Sequence, residues 1–184
     1  MNVPTLETAR LLLQPVQLED AEQVQRLFPQ WEVVKYLNIV VPWPFPEDGV
    51  ETFYRERALP AVERGEEWHW TIRLKDEPEQ IIGAISLHLN REIHRGFWIA
   101  PDWRGRGLMT EAVAEVTRFW FEELHQPVLR TKKAVANAAS RAISVREGMQ
   151  CVQMTEDDYV SGRLATEVWE LEAESWRSRR RTQE

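Results

Sequence analysis

Residues 96–112 read Gly-Phe-Trp-Ile-Ala-Pro-Asp-Trp-Arg-Gly-Arg-Gly-Leu-Met-Thr-Glu-Ala, and this stretch decides the fold. Its first residues continue a strand predicted from about Ile93 to Ile99, and Pro101 ends that strand because proline cannot donate to a β-ladder. From Gly107 onward the apolar residues recur at helical spacing, at Leu108, Ala112, Val113, Val116, Trp120 and Leu124. The sequence therefore predicts a strand, a glycine-rich turn and a helix, in that order.

The turn combines two glycines with two arginines, in the order Arg104-Gly105-Arg106-Gly107. Glycine lets a backbone approach a phosphate closely, and the amides and dipole at the start of a helix favour negative charge. We therefore expect an anion cradle for a phosphate or a pyrophosphate. No Gly-Lys-Ser/Thr follows, and the three-glycine dinucleotide pattern is missing from the turn, so ATP and NAD are poor candidates.

The rest of the chain alternates short strand and helix signals. Strands are predicted at residues 10–15, 68–74, 80–89, 128–135, 150–155 and 166–171. Helices are predicted after the capping box Asp20–Gln23, from Pro46 to about Arg64, and between Asn137 and Gly148. Prolines interrupt residues 38–48, which predicts an irregular loop. These elements predict one α+β domain over residues 1–184, with a mixed, mostly antiparallel twisted sheet flanked by helices and a frayed basic tail at about 177–184.

The formal net charge of −7 at pH 7 argues against a protein that coats nucleic acid, because phosphate binding needs a net basic face. The same field favours a cationic substrate. Neither a signal peptide nor a membrane span is predicted, since no apolar run has the required length or flanks. The single cysteine, Cys151, excludes an internal disulfide and suits a reducing cytosol, and we expect it to be a small buried apolar residue.

Residues 96–112 resemble motif A of the GCN5-related N-acetyltransferases, in the branch similar to the ribosomal-protein N-terminal acetyltransferases. Asn137-Ala138-Ala139-Ser140, followed by Gly148-Met149, resembles the second motif of that branch at the expected distance. Thr8-Ala9-Arg10-Leu11-Leu12-Leu13 and Ile82-Gly83 extend the likeness over nearly the whole chain.

The resemblance implies that two adjacent, nearly parallel strands splay apart and hold acyl-CoA in the wedge between them. The backbone of two strand residues would pair with the pantetheine arm, and the amides of residues 104–109 would hold the pyrophosphate. An asparagine at the second motif would hydrogen-bond the pantetheine arm, and a serine would lie near the thioester sulfur. The cofactor-binding residues implied in this way are Trp98, Ile99, Arg104, Gly105, Arg106, Gly107, Leu108, Met109, Thr110, Asn137 and Ser140.

Acyl transfer to an amine needs a neutral amine, an oriented thioester, and stabilisation of the oxyanion and the departing thiolate. The resemblance assigns the carbonyl contact to a main-chain N–H near Ile99 and makes Ser140 a candidate general acid for the thiolate. No motif identifies the base, although histidine is the side chain tuned to neutral pH. The candidates for the base are His88 and Glu92, followed by Glu67 and His69.

The predicted function is transfer of an acetyl group from acetyl-CoA to a primary amine in a ternary complex, without a metal. The acceptor is either a protein N-terminus or a small amine, and Trp31, Trp43 and Phe45 are candidates to border its site. Three alternatives stay open: a CoA-binding regulatory module without catalysis, a structural domain without a ligand, and an acyltransferase for a longer donor such as succinyl-CoA. We expect a cytoplasmic protein without nucleic-acid or membrane partners, and family habit suggests a homodimer.

Overall fold

The computed structural model describes residues 3–183, and two β-sheets form its framework. The strands are β1 (Leu6–Glu7), β2 (Leu11–Pro15), β3 (Glu67–Leu74), β4 (Glu77–His88), β5 (Arg95–Ile99), β6 (Val128–Ala134), β7 (Gln150–Tyr159) and β8 (Gly162–Glu172). The helices are α1 (Ala21–Leu27), α2 (Trp31–Val34), α3 (Gly49–Phe53), α4 (Leu59–Glu63), α5 (Leu108–Glu122), α6 (Ala138–Glu147) and α7 (Ala173–Gln183). A π-helical turn joins α3 to α4, and a 3-10 turn at Pro101–Trp103 precedes the glycine-rich loop.

The first sheet has the strand order β1-β2-β3-β4-β5, and the second has the order β6-β8-β7. All paired neighbours within both sheets run antiparallel. The register places Glu67 of β3 opposite His88 of β4, and Ser86 of β4 opposite Gly96 of β5. The mostly antiparallel β-structure flanked by helices that the sequence predicted is confirmed, although it forms two antiparallel sheets rather than the single mixed sheet expected.

The two sheets meet at one end and separate at the other. His94, just before β5, donates its backbone N–H to the carbonyl of Arg130 in β6, and the Arg130 N–H donates to Nδ1 of His94, both at 2.9 Å. Beyond that contact no ladder joins β5 to β6 within residues 3–183. The splayed strands implied by the family resemblance are present, and the wedge between them opens toward Ile99 and Ala134.

A buried ion pair closes the narrow end of the wedge. The Arg95 side chain of β5 is 0% exposed, and its Nη1 and Nη2 donate to Glu147 at the end of α6, over 2.9 and 2.6 Å. Arg95 Nη1 also donates to Oγ1 of Thr117 in α5, and that hydroxyl donates to Glu147 Oε1. The Arg95–Glu147 pair therefore ties β5, α5 and α6 together.

Helix α5 covers one face of the first sheet. Trp68, Trp70 and Ile72 of β3 are buried in the same core cluster as the apolar face of α5. Because side chains alternate along a strand, the residues between them point to the opposite face. These buried residues are polar, namely Glu67, His69, Thr71 and Arg73. The face away from α5, which α1 and the α3–α4 segment cover in part, is therefore the one with buried polar groups.

Two expectations for single residues are wrong. Asp20 does not cap α1. Its carboxylate instead accepts from the backbone N–H of Gln17 at 3.0 Å and from Arg73 Nη2 at 2.6 Å. The side chain of Gln23 likewise bonds β4 rather than the helix end, donating to the carbonyl of Glu79. Cys151 is exposed, since it lies in the edge strand β7.

The basic segment near the C-terminus is a helix rather than a frayed tail through residue 183. Trp176 of α7 packs against Phe121 with ring centroids 5.2 Å apart, and Arg180 pairs with Glu122 of α5 at 2.7 Å. These contacts anchor the helix to the core, and Glu184 lies outside the described residues. None of the helices in the described part of the chain is both long and apolar enough to cross a membrane.

Candidate active site

The glycine-rich loop lies at the open end of the wedge, between β5 and α5. Gly105 and Gly107 both have a φ of +74°, a left-handed conformation that other residues rarely adopt. The amide of Arg104 donates to the carbonyl of Pro101 at 3.1 Å and is therefore occupied. Among residues 3–183, no oxygen accepts from the amides of residues 105–110. The loop thus presents a row of free N–H groups at the N-terminus of α5, beginning after Arg104.

Glu111, in the first turn of α5, holds this loop against β2. Its Oε1 accepts from Thr8 Oγ1 at 2.5 Å and from the Arg10 amide at 2.7 Å, and its Oε2 accepts from Arg10 Nε at 2.7 Å. Arg10 Nη1 donates in turn to the carbonyl of Arg106 at 3.0 Å. Burial would raise the pKa of Glu111, but the bonds from Thr8 and Arg10 outweigh it and hold this pKa below its usual range. The loop is therefore fixed by a carboxylate that stays charged near neutral pH.

The two arginine side chains of the loop are exposed, and each donates to a backbone carbonyl. Arg104 Nη2 donates to the carbonyl of Glu32 at 2.7 Å, which links the loop to α2. Arg106 lies over the Trp103 ring, 4.8 Å from its centroid, and donates to the Asp102 carbonyl at 3.1 Å. Both guanidinium groups belong to the loop that carries the free amides and add positive charge to it.

Strand β5 pairs with β4 on one side and leaves its other edge facing the wedge. The amide of Ala100 donates to the Ile82 carbonyl of the preceding β4 strand at 2.8 Å. Because successive amides of a strand point to opposite edges, the N–H of Ile99 points away from β4 and into the wedge. Trp98, its neighbour, packs edge-on against Phe28 with ring centroids 5.4 Å apart.

Gly83 of β4 lets these strands approach closely. A Cβ at Gly83 would lie 2.4 Å from the Trp98 carbonyl oxygen, a distance that real side chains do not reach. Any other residue would push β5 toward the wedge. The Ile82-Gly83 pair recognised in the sequence therefore has a steric cause in this structure.

Helix α6 starts at the open end of the second sheet, directly after β6. Its cap is the one predicted, because Asn137 Oδ1 accepts from the Ser140 amide at 3.3 Å. This leaves the Asn137 side-chain NH₂ as the group that can still donate to a ligand. Gly148 ends the helix with a φ of +80°. Asn137 and Ser140 thus lie across the wedge from β5.

Three titratable side chains meet on the face of the first sheet away from α5. Glu67 Oε2 lies 2.6 Å from His69 Nε2 and 3.2 Å from His88 Nδ1. One carboxylate oxygen and one nitrogen of each imidazole thus lie within 4.8 Å of one another. His88 Nδ1 is buried and has no partner in hydrogen-bond geometry among the described residues. His88 Nε2 lies 3.0 Å from Ser86 Oγ, and Arg91 pairs with the other oxygen of Glu67 at 2.5 Å. We call Glu67, His69 and His88 the histidine–glutamate cluster.

The charges of this cluster follow from burial and mutual contact. Burial would raise the pKa of Glu67, but hydrogen bonding with His69 and the proximity of His88 outweigh it and hold this pKa below its usual range. Burial lowers the pKa of His69, which is therefore neutral at pH 7. The cluster consequently presents a carboxylate next to imidazole rings, an arrangement suited to accepting a proton.

Other predicted site residues lie apart from the cluster. The Glu92 side chain is 76% exposed and lies 3.6 Å from Arg130 Nη1. Trp31 and Trp43 are each 44% exposed, with ring centroids 5.7 Å apart. Phe45 is partly buried and packs against the core cluster that contains Val50 and Tyr54. The structure therefore brings His88, Glu67 and His69 together but not Glu92.

Sequence reasoning missed four buried or partly buried charged residues near the wedge, Arg95, Glu111, Lys133 and Glu147. Arg95 and Lys133 occupy inward positions of strands β5 and β6. For these two residues, a charge at an inward strand position was the signal that could have found them, because burial of a charge requires a partner or a function.

Comparison with known proteins agrees with this geometry. The family model described as Acetyltransferase (GNAT) domain matches residues 10–150. The uncharacterized N-acetyltransferase YoaA of Bacillus subtilis (strain 168) is 28% identical over 151 residues, which cover 80% of this chain and 83% of YoaA.

Two solved structures share the fold. RimL, a ribosomal L7/L12 alpha-N-protein acetyltransferase in complex with coenzyme A, is 14% identical with a TM-score of 0.75, covering 94% of this chain and 98% of RimL. The microcin C7 self-immunity acetyltransferase MccE, in complex with acetyl-CoA and AMP, is 16% identical with a TM-score of 0.74, covering 90% of this chain and 93% of MccE. The family and fold expected from the sequence are confirmed. This chain belongs to the GNAT family of acetyltransferases, and it is an N-acetyltransferase.

Proposed function

We propose that this N-acetyltransferase transfers the acetyl group of acetyl-CoA to a primary amine that reaches the wedge over Gly96. The observation that carries the proposal is the row of free amides at residues 105–110, placed where the wedge opens. RimL and MccE, which share the fold, are described with coenzyme A and acetyl-CoA. The net charge of −7 supports a cationic acceptor over an anionic one.

The residues of the wedge fit this co-substrate. A pyrophosphate carries negative charge, and the free amides of the loop, the dipole of α5 and the two exposed arginines all favour it. The free edge of β5 offers unpaired backbone N–H and C=O groups to an extended chain with amide groups, such as a pantetheine arm. Asn137 keeps its side-chain NH₂ on the opposite wall. When bound, acetyl-CoA supplies an acyl group activated as a thioester.

Gly96 provides room for the acceptor. It is exposed, and a Cβ there would meet only Ser86 Oγ, at 3.5 Å. The Trp31–Trp43 pair lies beside the glycine-rich loop, because Arg104 binds the carbonyl of the residue after Trp31. We propose that this aromatic pair borders the acceptor. An α-amine, with a pKa of about 7.7–8.0 against about 10.4 for lysine, is the easier of the two amine types to deprotonate near neutral pH.

We assign proton removal to His88. In the tautomer with Nδ1–H toward Glu67, His88 Nε2 accepts from Ser86 Oγ, which lies next to Gly96. A proton leaving the amine can then pass through Ser86 to His88, and the carboxylate of Glu67 stabilises the imidazolium that forms. Glu92, the other candidate, has no such path because its side chain points to solvent.

Two further groups act on the acyl transfer itself. The N–H of Ile99 donates toward the acyl carbonyl and stabilises negative charge on its oxygen. The Ser140 hydroxyl donates its proton to the departing thiolate. Because a thiol is already fairly acidic, with a pKa of about 8.5 for free cysteine, loss of the Ser140 hydroxyl should slow turnover without abolishing it.

Replacing His88 by Gln should lower kcat/KM at pH 7 by about a hundredfold, the ordinary contribution of a positioned base. The loss should shrink above the pKa of the amine, because the amine then arrives already neutral. Steady-state rates from pH 6 to 10 at saturating acetyl-CoA measure both effects. His125→Asn, at an exposed histidine after α5, is the matched control and should behave as the wild type. A larger loss in Glu92→Gln than in His88→Gln would transfer the role to Glu92.

The function itself is tested by thermal-shift titration with acetyl-CoA, succinyl-CoA and free CoA. Ligand at about 100 times Kd should stabilise the native state by about 2.7 kcal/mol. The samples with an acyl-CoA, offered a panel of N-terminal peptides and small amines, should then release the thiol of coenzyme A. Stabilisation by an acyl-CoA without thiol release in the presence of any amine would favour the regulatory module. An unchanged melting temperature with every CoA species would refute the anion cradle.

The choice between acetyl and longer donors is part of the same titration. A larger shift and faster thiol release with succinyl-CoA than with acetyl-CoA would reassign the donor. A cytosolic location and a homodimer stay predictions from the sequence, and sedimentation analysis of the purified protein tests the second.

A further inference from the structure

Lys133 is a buried lysine on the β6 wall of the wedge. Its residue surface is 3% exposed, and it lies beneath helix α6. The Nζ group donates to the Ser144 hydroxyl and lies 3.5 Å from the carbonyl oxygen of Ser140. It also lies 5.9 Å from the centroid of the Trp169 ring. The amine is therefore held under the first turns of α6, on the side of the helix that contains Ser140.

No carboxylate neutralises this amine at close range within residues 3–183, because the acidic groups around it already have partners. Glu147 accepts from Arg95 at 2.9 and 2.6 Å, and Glu167 accepts from Arg141 at 2.7 and 2.8 Å. Burial, and after it the charge of Arg95, lowers the pKa of Lys133 to about 7. A buried amine without a counter-ion is costly to protonate, so an anion bound beside Lys133 would favour its charged form.

The surroundings of Lys133 favour an anion at the start of α6. The dipole of this ten-residue helix places positive potential at its N-terminus. When protonated, Lys133 adds a positive charge beneath the same turn. Two independent features therefore favour negative charge beside Ser140, and neither is balanced by an acidic side chain in contact with it.

Acyl transfer creates such an anion. When the bond from the amine nitrogen to the carbonyl carbon forms and the carbon–sulfur bond breaks, the electron pair of that bond stays on sulfur as a thiolate. We propose that Lys133 is the buried cation that stabilises the thiolate of coenzyme A at the first turn of α6. This inference rests on the proposed function, because Ser140 is placed near the sulfur there.

The experiment measures the ionisation of the thiol of bound coenzyme A, which a merely structural lysine would not change. Thiolate absorbs in the ultraviolet, so the complex with free CoA is titrated with base and its absorbance is followed. Cys151 is the one cysteine of the chain and is exposed, so all variants carry Cys151→Ser to remove its signal. Lys133→Met removes the charge and keeps a similar length.

Lys132→Met is the matched control. Lys132 is the neighbouring residue of β6, pairs with Asp157, and points to the opposite face of the sheet. It loses the same charge without emptying the space under α6. The charged groups that surround Lys133 are unchanged in both variants, namely Arg95 from β5, Arg141 and Glu147 from α6, and Glu167 from β8.

We expect Lys133→Met to lower the acid dissociation constant of the bound thiol about tenfold or more, the effect of losing a nearby opposite charge. Lys132→Met should leave it at the parent value. Turnover should fall about tenfold in Lys133→Met, while the Kd for acetyl-CoA stays close to that of the parent. If Lys133→Met does not bind coenzyme A, Lys133→Gln, which can still bond Ser144, replaces it in the comparison.

Whether coenzyme A binds separates the role of Lys133 from the proposed function. Identical thiol ionisation in the parent and in the Lys133 variant, both with coenzyme A bound, would overturn the role of Lys133 and leave the proposed function standing. A parent protein that does not bind coenzyme A would overturn the proposed function itself.

Discussion

Gly107→Asp should weaken the binding of coenzyme A by about two orders of magnitude. Two unit charges about 4 Å apart near a protein surface interact by about 4 kcal/mol, and about 2.8 kcal/mol corresponds to a hundredfold in Kd. An aspartate at position 107 would place its carboxylate beside the free amides at the N-terminus of α5, where a phosphate is expected. Isothermal titration calorimetry with free CoA, at fixed ionic strength, gives the change directly.

Gly107→Asn separates charge from conformation. Asparagine has the shape of aspartate and tolerates the left-handed φ of +74° comparably, but it carries no charge. The steric demand is small in both variants. Apart from neighbouring residues of the loop and helix, a Cβ at residue 107 would meet only Arg10 Nη2, at 3.5 Å. We expect the asparagine variant to lose much less affinity than the aspartate variant. Equal losses would mean that shape rather than charge governs the loop, and unchanged affinity in both would remove the loop from the binding site.

Glu147→Ala should destabilise the protein by about 3–5 kcal/mol, because it leaves the buried guanidinium of Arg95 without its counter-ion. The side chain of Arg95 is 0% exposed, and its Nε already has no partner among the described residues. Water therefore has little access to replace the carboxylate. Urea denaturation followed by circular dichroism measures the loss as a lower midpoint.

Two variants serve as controls for the Arg95–Glu147 pair. Glu122→Ala removes an exposed carboxylate that pairs with Arg118 and Arg180, and it should cost less than about 1 kcal/mol. The double variant Arg95→Met with Glu147→Leu removes both charges and should be more stable than Glu147→Ala alone. A Glu147→Ala protein as stable as the Glu122→Ala control would show that the buried Arg95–Glu147 pair does not stabilise the fold.

The glycine-rich loop and the caps of α6 could be predicted from the sequence because their signals are local. The turn that begins α5 depends on two glycines and on apolar spacing within a single helix. The Asn137 cap and the Gly148 terminus depend on ten residues between them. The same locality explains one failure, since Asp20 also has the signal of a cap, but Arg73 from β3 binds it.

Contacts between distant segments could not be predicted in this way. Arg95 and Glu147 are 52 positions apart, and nothing near either residue indicates the other. His88 was a candidate base because histidine is tuned to neutral pH, whereas its contact with Glu67 depends on the register of β3 against β4. The helical tail was missed because its composition is polar, and one tryptophan, Trp176, anchors it to the core.

The wedge has a consequence for the behaviour of the protein in solution. Strands β5 and β6 each leave one edge unpaired within the described chain, and open strand edges are templates for aggregation. The Arg95–Glu147 pair joins β5 to α6, the helix that follows β6, and so links the two walls of the wedge. We expect a protein that lacks this pair to expose both edges more readily. The wedge that we propose as the co-substrate site is thus also a place where self-association could begin if the Arg95–Glu147 pair were lost.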